Sequence, residues 1–282
     1  MLIDPTPVEK HNVSDIDIYV KREDLCTPPP GPTFSKMRGL LKRLQLLKDK
    51  GYETVGYTES SISMAGWGVA WLAPKVGMKA VIFDPQYVES NTEPHLKILE
   101  YHRFKWKELG AEIVPIKAGM VKVNYHICKA ILNEKYPKSI MLPLGLPFEE
   151  TIDETARVAR WYNGHFKTVV VCIGSGTICA GLIRGMPQAD IFGVMSRSPG
   201  SDKAAALKCV RIFEKAGVLQ AGLFGREKPG FAIIDDKWKY TDPSKVEAPF
   251  PCHPYYDLKA WEWLIKNITK FEQPILFWNI GS

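Results

Sequence analysis

Short β-branched runs alternate with amphipathic stretches along the 282-residue chain, and this alternation limits the fold more than any other feature. Candidate strands fall at 16–21, 53–57, 80–83, 112–116, 140–143, 168–173, 191–194 and 274–278. The stretch 36–50 places Met37, Leu40, Leu41, Leu44 and Leu47 on one helical face. Stretches 93–109, 121–134, 148–162, 202–217 and 255–268 carry the same period. Alternating units of this kind predict a mostly parallel sheet with helices on both faces. They also predict ligands beyond the carboxyl ends of the strands. The stretch 229–254 is the least regular. It holds Pro243, Pro249 and Pro251 and reads as one long loop.

Composition narrows the function classes. Residues 1–15 lack the apolar run of a secretory signal. No stretch approaches the roughly 20 apolar residues of a membrane span. No membrane association is expected, and a cytoplasmic protein is, in the host cytoplasm if the source is viral. Cys26, Cys128, Cys172, Cys179, Cys209 and Cys252 are scattered without a CxxC pair, which reads as reduced thiols. Cys252 and His253 are adjacent, but nothing nearby completes a zinc set, so no metal is expected. The net charge of +6 mildly favours anionic partners.

Two constellations carry chemistry. In the first, the strand ending Tyr19-Val20-Lys21-Arg22-Glu23-Asp24-Leu25 leads into Gly31-Pro32-Thr33-Phe34-Ser35-Lys36-Met37-Arg38-Gly39. Lys36 then opens a helix and faces the positive end of its dipole. Burial there would lower its pKa and leave a neutral amine, as an imine with an aldehyde requires. The bland alternative is a solvated lysine of a basic helix. In the second, Val169-Val170-Val171-Cys172-Ile173 enters Gly174-Ser175-Gly176-Thr177, and a helix follows. Backbone N–H groups and hydroxyls at such a turn can cradle a phosphate. The spacing is neither GxGxxG nor a Walker loop, and the turn could be plain architecture.

Together these runs resemble fold-type II pyridoxal-phosphate (PLP) enzymes of the tryptophan synthase β-like family, nearest the D-cysteine desulfhydrase and aminocyclopropane-carboxylate (ACC) deaminase group. Met141-Leu142-Pro143-Leu144-Gly145 and His253-Pro254-Tyr255-Tyr256-Asp257-Leu258-Lys259-Ala260, with the closing Asn279-Ile280-Gly281-Ser282, resemble the same group in the same order. The resemblance implies two three-layer α/β/α domains: a large PLP-binding domain of 1–41 plus 144–282, and a small inserted domain of 42–143. It implies that Lys36 is the Schiff-base lysine and moves protons at Cα. By the same carry-over Gly174, Ser175, Gly176 and Thr177 hold the phosphate, and Tyr255 and Tyr256 stand near the reacting atoms. A homodimer is usual for the family.

Three departures matter. Thr33-Phe34-Ser35 stands where the deaminase group carries an asparagine before its lysine. The loop that grips the substrate carboxylate reads Ser60-Ser61-Ile62-Ser63-Met64-Ala65-Gly66, with Met64 in place of a polar anchor. Ser61, Ser63, Met64, Ala65 and Gly145 are nevertheless the expected substrate contacts. Ile280 falls where a polar residue usually faces the pyridine nitrogen, leaving Asn279 or Ser282 to substitute. No acid stands there, so the ring would be a weaker electron sink.

The resemblance therefore implies a lyase acting at Cα of an amino acid or aminoacyl group, by deamination, elimination or decarboxylation. A loosened grip on the carboxylate opens decarboxylation. The basic–aromatic stretches 102–107 and 237–240 could stack bases and neutralise phosphates, or could be helix faces turned to the core. With them the chain also resembles PLP enzymes of viral thymine hypermodification, which decarboxylate an amino acid carried on the base in nucleotide or DNA. A degenerate PLP-fold binding protein is the non-enzyme alternative.

Overall fold

The computed structural model describes residues 2–60, 62–86, 93–217 and 230–282, apart from the side chains of 93–95, 202, 205 and 206. Its strands are β1 (Val8–Val13), β2 (Ile16–Arg22), β3 (Thr54–Thr58), β4 (Lys79–Gln86), β5 (Glu112–Lys117), β6 (Ser139–Met141), β7 (Thr168–Ile173), β8 (Asp190–Met195), β9 (Phe231–Ile234) and β10 (Ile275–Asn279). Its helices are α1 (Met37–Asp49), α2 (Ala65–Leu72), α3 (Glu93–Glu108), α4 (Val121–Lys135), α5 (Glu149–Arg160), α6 (Thr177–Gly185), α7 (Asp202–Ala216) and α8 (Asp257–Asn267).

The chain divides into two compact units, one of 1–28, 33–39 and 148–282, the other of 29–32 and 40–147. The sequence reading draws its boundaries at 41/42 and 143/144. The first unit holds a six-stranded sheet in the order β1-β2-β10-β7-β8-β9. Only the β1–β2 pair is antiparallel. The pleat of β7 sends alternate residues to opposite faces. Val169, Val171 and Ile173 join a core with α6 side chains such as Ile178 and Leu182. Val170 and Cys172 join a second core with Trp261 and Leu264 of α8. A central strand buried on both faces needs this unbroken apolar run.

The second unit holds a parallel sheet in the order β5-β4-β3-β6. Cys128 and Leu132 of α4 pack on Val81, Phe83 and Met141. Both units thus carry the mostly parallel α/β architecture that the alternation of elements predicts. Two elements differ from the sequence reading. β1 is an added edge strand, and β9 lies inside the stretch read as one long loop. Among the described residues no helix is long and apolar enough to cross a membrane. All six cysteines are free.

Candidate active site

In the first unit the carboxyl ends of β7 and β10 deliver the functional residues. The turn after β7 runs through Gly174 and Ser175 to Gly176, which stands before α6 at φ 85°. A side chain at Gly176 would be strained by that backbone, and its Cβ would stand 2.6 Å from Ile212 Cγ1 of α7. The side of Gly174 where a Cβ would project is open, with nothing within 4 Å.

Lys36 immediately precedes α1, and backbone pairing fixes its approach. Ser35 N–H donates to Ile280 O (2.9 Å), and Ser282 N–H donates to Thr33 O (3.4 Å). The Thr33 hydroxyl donates to Ser282 O (2.5 Å), and Phe34 bridges Gly281. The Lys36 side chain is buried, and its Nζ donates to Ser175 Oγ at 3.0 Å. Ser175 Oγ lies 2.8 Å from Thr177 Oγ1 and accepts the Thr177 N–H at 3.4 Å. Burial pushes the Lys36 amine down to about 7, and the charges of Lys215 and Lys208 push the same way.

Those two lysines are site residues that sequence reasoning missed. Lys208 Nζ donates to Gly174 O, and Lys215 Nζ donates to Ser175 O at 3.4 Å. Their spacing of seven puts them on one face of α7, but only the tertiary contact brings that face to the turn. Hydroxyls, an open glycine, a helix N-terminus and two ammonium groups suit a phosphate. A buried amine of lowered pKa beside them suits an aldehyde. The donor set therefore fits pyridoxal phosphate.

Asn279 is fully buried. Its Nδ2 donates to Pro251 O (3.0 Å), while Oδ1 has no hydrogen-bond partner among the described residues. Ile280 packs against both cores of this unit, and its N–H donates to Asp257 Oδ1 at 3.0 Å. Burial pushes the Asp257 carboxyl up to about 8. Tyr255 is buried, and its N–H donates to His253 Nδ1 (3.3 Å). The Tyr256 hydroxyl lies 2.7 Å from that of Tyr240, and its ring lies 4.9 Å from the His253 ring.

In the second unit, the expected carboxylate loop leads into α2. Ser61 lies outside the described residues. The loop already encloses a carboxylate of its own. Glu59 accepts the N–H of Ser60 on Oε1 (2.8 Å) and that of Gly66 on Oε2 (2.6 Å). It also bonds the Ser63 side chain, whose Oγ accepts the Ala65 N–H at 3.1 Å. Burial pushes the Glu59 carboxyl up to about 8 despite these donors. Met64 is buried. Gly145 N–H donates to Tyr57 Oη at 3.2 Å. Of the basic–aromatic stretches, 102–107 lies in α3 with Trp106 buried and Phe104 59% exposed. Next to 237–240, Lys259 Nζ sits over the Trp238 ring and donates to Lys239 O.

The chain is similar to known proteins over most of its length. The sequence model of the family "Pyridoxal-phosphate dependent enzyme" matches residues 1–222. The "Glycyl-dTMP PLP-dependent decarboxylase" of Pseudomonas phage M6 is 36% identical over 293 residues, covering 100% of both chains. The "Probable 1-aminocyclopropane-1-carboxylate deaminase" of Schizosaccharomyces pombe is 24% identical, over 72% of this chain and 66% of its own. A crystal structure of an ACC deaminase homologue superposes with a TM-score of 0.73 at 20% identity, covering 98% of this chain and 89% of the other. That likeness speaks for the fold. The family match over most of the chain, and a relative sharing more than a third of its residues end to end, speak for descent: the chain belongs to the pyridoxal-phosphate dependent enzyme family.

Proposed function

We propose that the protein is a PLP-dependent decarboxylase of an amino-acid-modified thymidylate, with Lys36 holding the cofactor. The observation that carries this reading is Lys36, whose buried amine donates to Ser175 Oγ at the turn 174–177. The Ser60 and Gly66 N–H groups and the Ser63 side chain are already bonded to the buried Glu59 carboxyl group. The loop that the family resemblance assigns to the substrate carboxylate therefore has these donors already engaged within its own unit. An α-carboxylate left without that grip would be free to leave as carbon dioxide. The whole-length relative named as a glycyl-dTMP decarboxylase supports the same chemistry and substrate class.

The cofactor supplies an electron sink for the charge left at Cα. This chain's residues do the rest. Lys36 gives a neutral amine for covalent attachment, and once released it holds a proton for delivery to Cα. The Ser175 hydroxyl accepts from the Lys36 amine and steadies it. The turn 174–177 binds the phosphate. Asn279 or Ser282 would serve the ring nitrogen, and Tyr256, whose hydroxyl pairs with that of Tyr240, would pass a proton. Ser61, Ser63, Met64, Ala65 and Gly145 remain the proposed substrate contacts, and a homodimer the proposed assembly.

The test is to give the PLP-loaded protein glycyl-dTMP, free glycine and aminocyclopropane carboxylate, and to measure carbon dioxide and ammonia. Carbon dioxide from the nucleotide alone is expected, and Lys36→Ala should abolish it. Ammonia release, or turnover of the free amino acids alone, would move the protein to the deaminase branch. A Lys36→Ala variant of full activity would defeat the reading.

A further inference from the structure

Helix α7 brings a cationic face against the turn 174–177. Ile212 packs on the bare backbone of Gly176, so the helix cannot approach closer, and Lys208 and Lys215 flank that contact. Lys208 Nζ reaches Gly174 O, and Lys215 Nζ reaches Ser175 O. Among the described residues neither lysine has an acidic partner in an ion pair. Lys215 and Arg211 both add repulsion at Lys208, and Arg211 adds it at Lys215. Two ammonium groups held at neighbouring carbonyl oxygens, beside the buried Lys36 amine, form a cluster whose charge calls for an anion. A phosphate monoester carries nearly two negative charges at neutral pH.

We infer that Lys208 and Lys215 are ligands of the cofactor's phosphate, reaching from α7 to complete the cradle that turn 174–177 begins. The inference rests on that turn being the phosphate site. The carbonyl contacts hold both amines at the rim of the turn, and an entering phosphate offers each a charged acceptor in place of a neutral one. Hydrogen bonds to charged groups are roughly twice as strong as neutral ones. Lys36 gains as well, because a dianion beside it cancels the repulsion of the two α7 lysines. Affinity for the phosphate and the titration of Lys36 are thereby coupled.

The experiment is an absorbance titration of cofactor-free protein with pyridoxal phosphate and, separately, with pyridoxal. Lys208→Met and Lys215→Met are each expected to weaken binding of pyridoxal phosphate about tenfold or more. Read above pH 10.5, where the Lys36 amine is neutral with or without its two neighbours, binding of pyridoxal, which lacks the phosphate, should fall far less than that of pyridoxal phosphate. A double variant that binds pyridoxal phosphate as tightly as the parent overturns the proposal. Gly176→Ala separates the two levels. If it weakens binding while the lysine variants do not, only the lysines fail. If it too has no effect, the phosphate reading of the turn fails with them. Should the variants misfold, the parent protein still decides. Pyridoxal phosphate should shield Lys208 and Lys215 from acetylation, read by peptide mapping, and acetylation at an unchanged rate overturns the proposal.

Discussion

A lysine attacks an aldehyde only through its neutral amine, and an ordinary lysine near pH 7 is almost wholly protonated. Lys36 escapes this because it is buried and shares its surroundings with Lys215 and Lys208, which bring it to about 7. Capture of pyridoxal by the cofactor-free protein should therefore rise with pH through a midpoint near 7, measured as the rate of visible absorbance growth. A midpoint near that of free lysine would contradict the burial. Gly176→Ala should cost about 1–3 kcal/mol of stability through backbone strain alone, measured by urea unfolding. The place of Lys36 at the start of a helix and of the turn 174–177 between a strand and a helix was legible in local pattern, whereas the roles expected of them came from the resemblance to a family. Glu59, Lys208 and Lys215 were not legible. Each acquires its role only when a separate segment, an α2 N-terminus or a neighbouring turn, is folded against it.

At the scale of elements, buried strands and strongly periodic helices were readable because burial imposes the pattern directly. The strand 168–173 matches β7 residue for residue. β1 escaped because it is an edge strand of mixed polarity, Val-Glu-Lys-His-Asn-Val, whose partner β2 supplies its register. β9 escaped because its four residues lie in a proline-rich context and owe their form to pairing with β8. The α3 stretch 102–107 tests both of its readings. Trp106 is wholly buried, whereas Phe104 lies outward with its ring 5.4 Å from Lys105 Nζ. Trp106→Ala should cost about 3–5 kcal/mol. Phe104→Ala should stay within about 0.5 kcal/mol. Equal effects in urea unfolding would mean that the helix face is not oriented as described.

Across the molecule, Asp257, Glu59 and Lys36 are among the buried groups that make stability depend on pH in opposing directions. Asp257 and Glu59, one in each unit, have carboxyls raised to about 8 from 3.8 and 4.5. In the folded protein each keeps a proton that the unfolded chain releases, so their contribution is full below pH 4 and declines as pH climbs towards 8. Lys36 behaves inversely. Its amine falls from 10.5 to about 7, so its contribution is full above 10.5 and is lost as pH drops towards 7. The two trends meet near neutrality, where the cofactor-free protein should show a minimum in the stability set by these groups. Glu59→Gln removes one titrating carboxyl while keeping the shape of its side chain and an acceptor oxygen. It should flatten the acid-side decline between about pH 4.5 and 8 and leave the alkaline rise in place. Lys36→Met should do the reverse. Loading with PLP should mimic Lys36→Met in the alkaline limb alone, because attachment takes that amine out of its ordinary titration. Chemical unfolding at a series of pH values, with and without cofactor, reads all three effects. If both variants leave the profile unchanged, these groups do not have the buried, shifted character that the fold gives them.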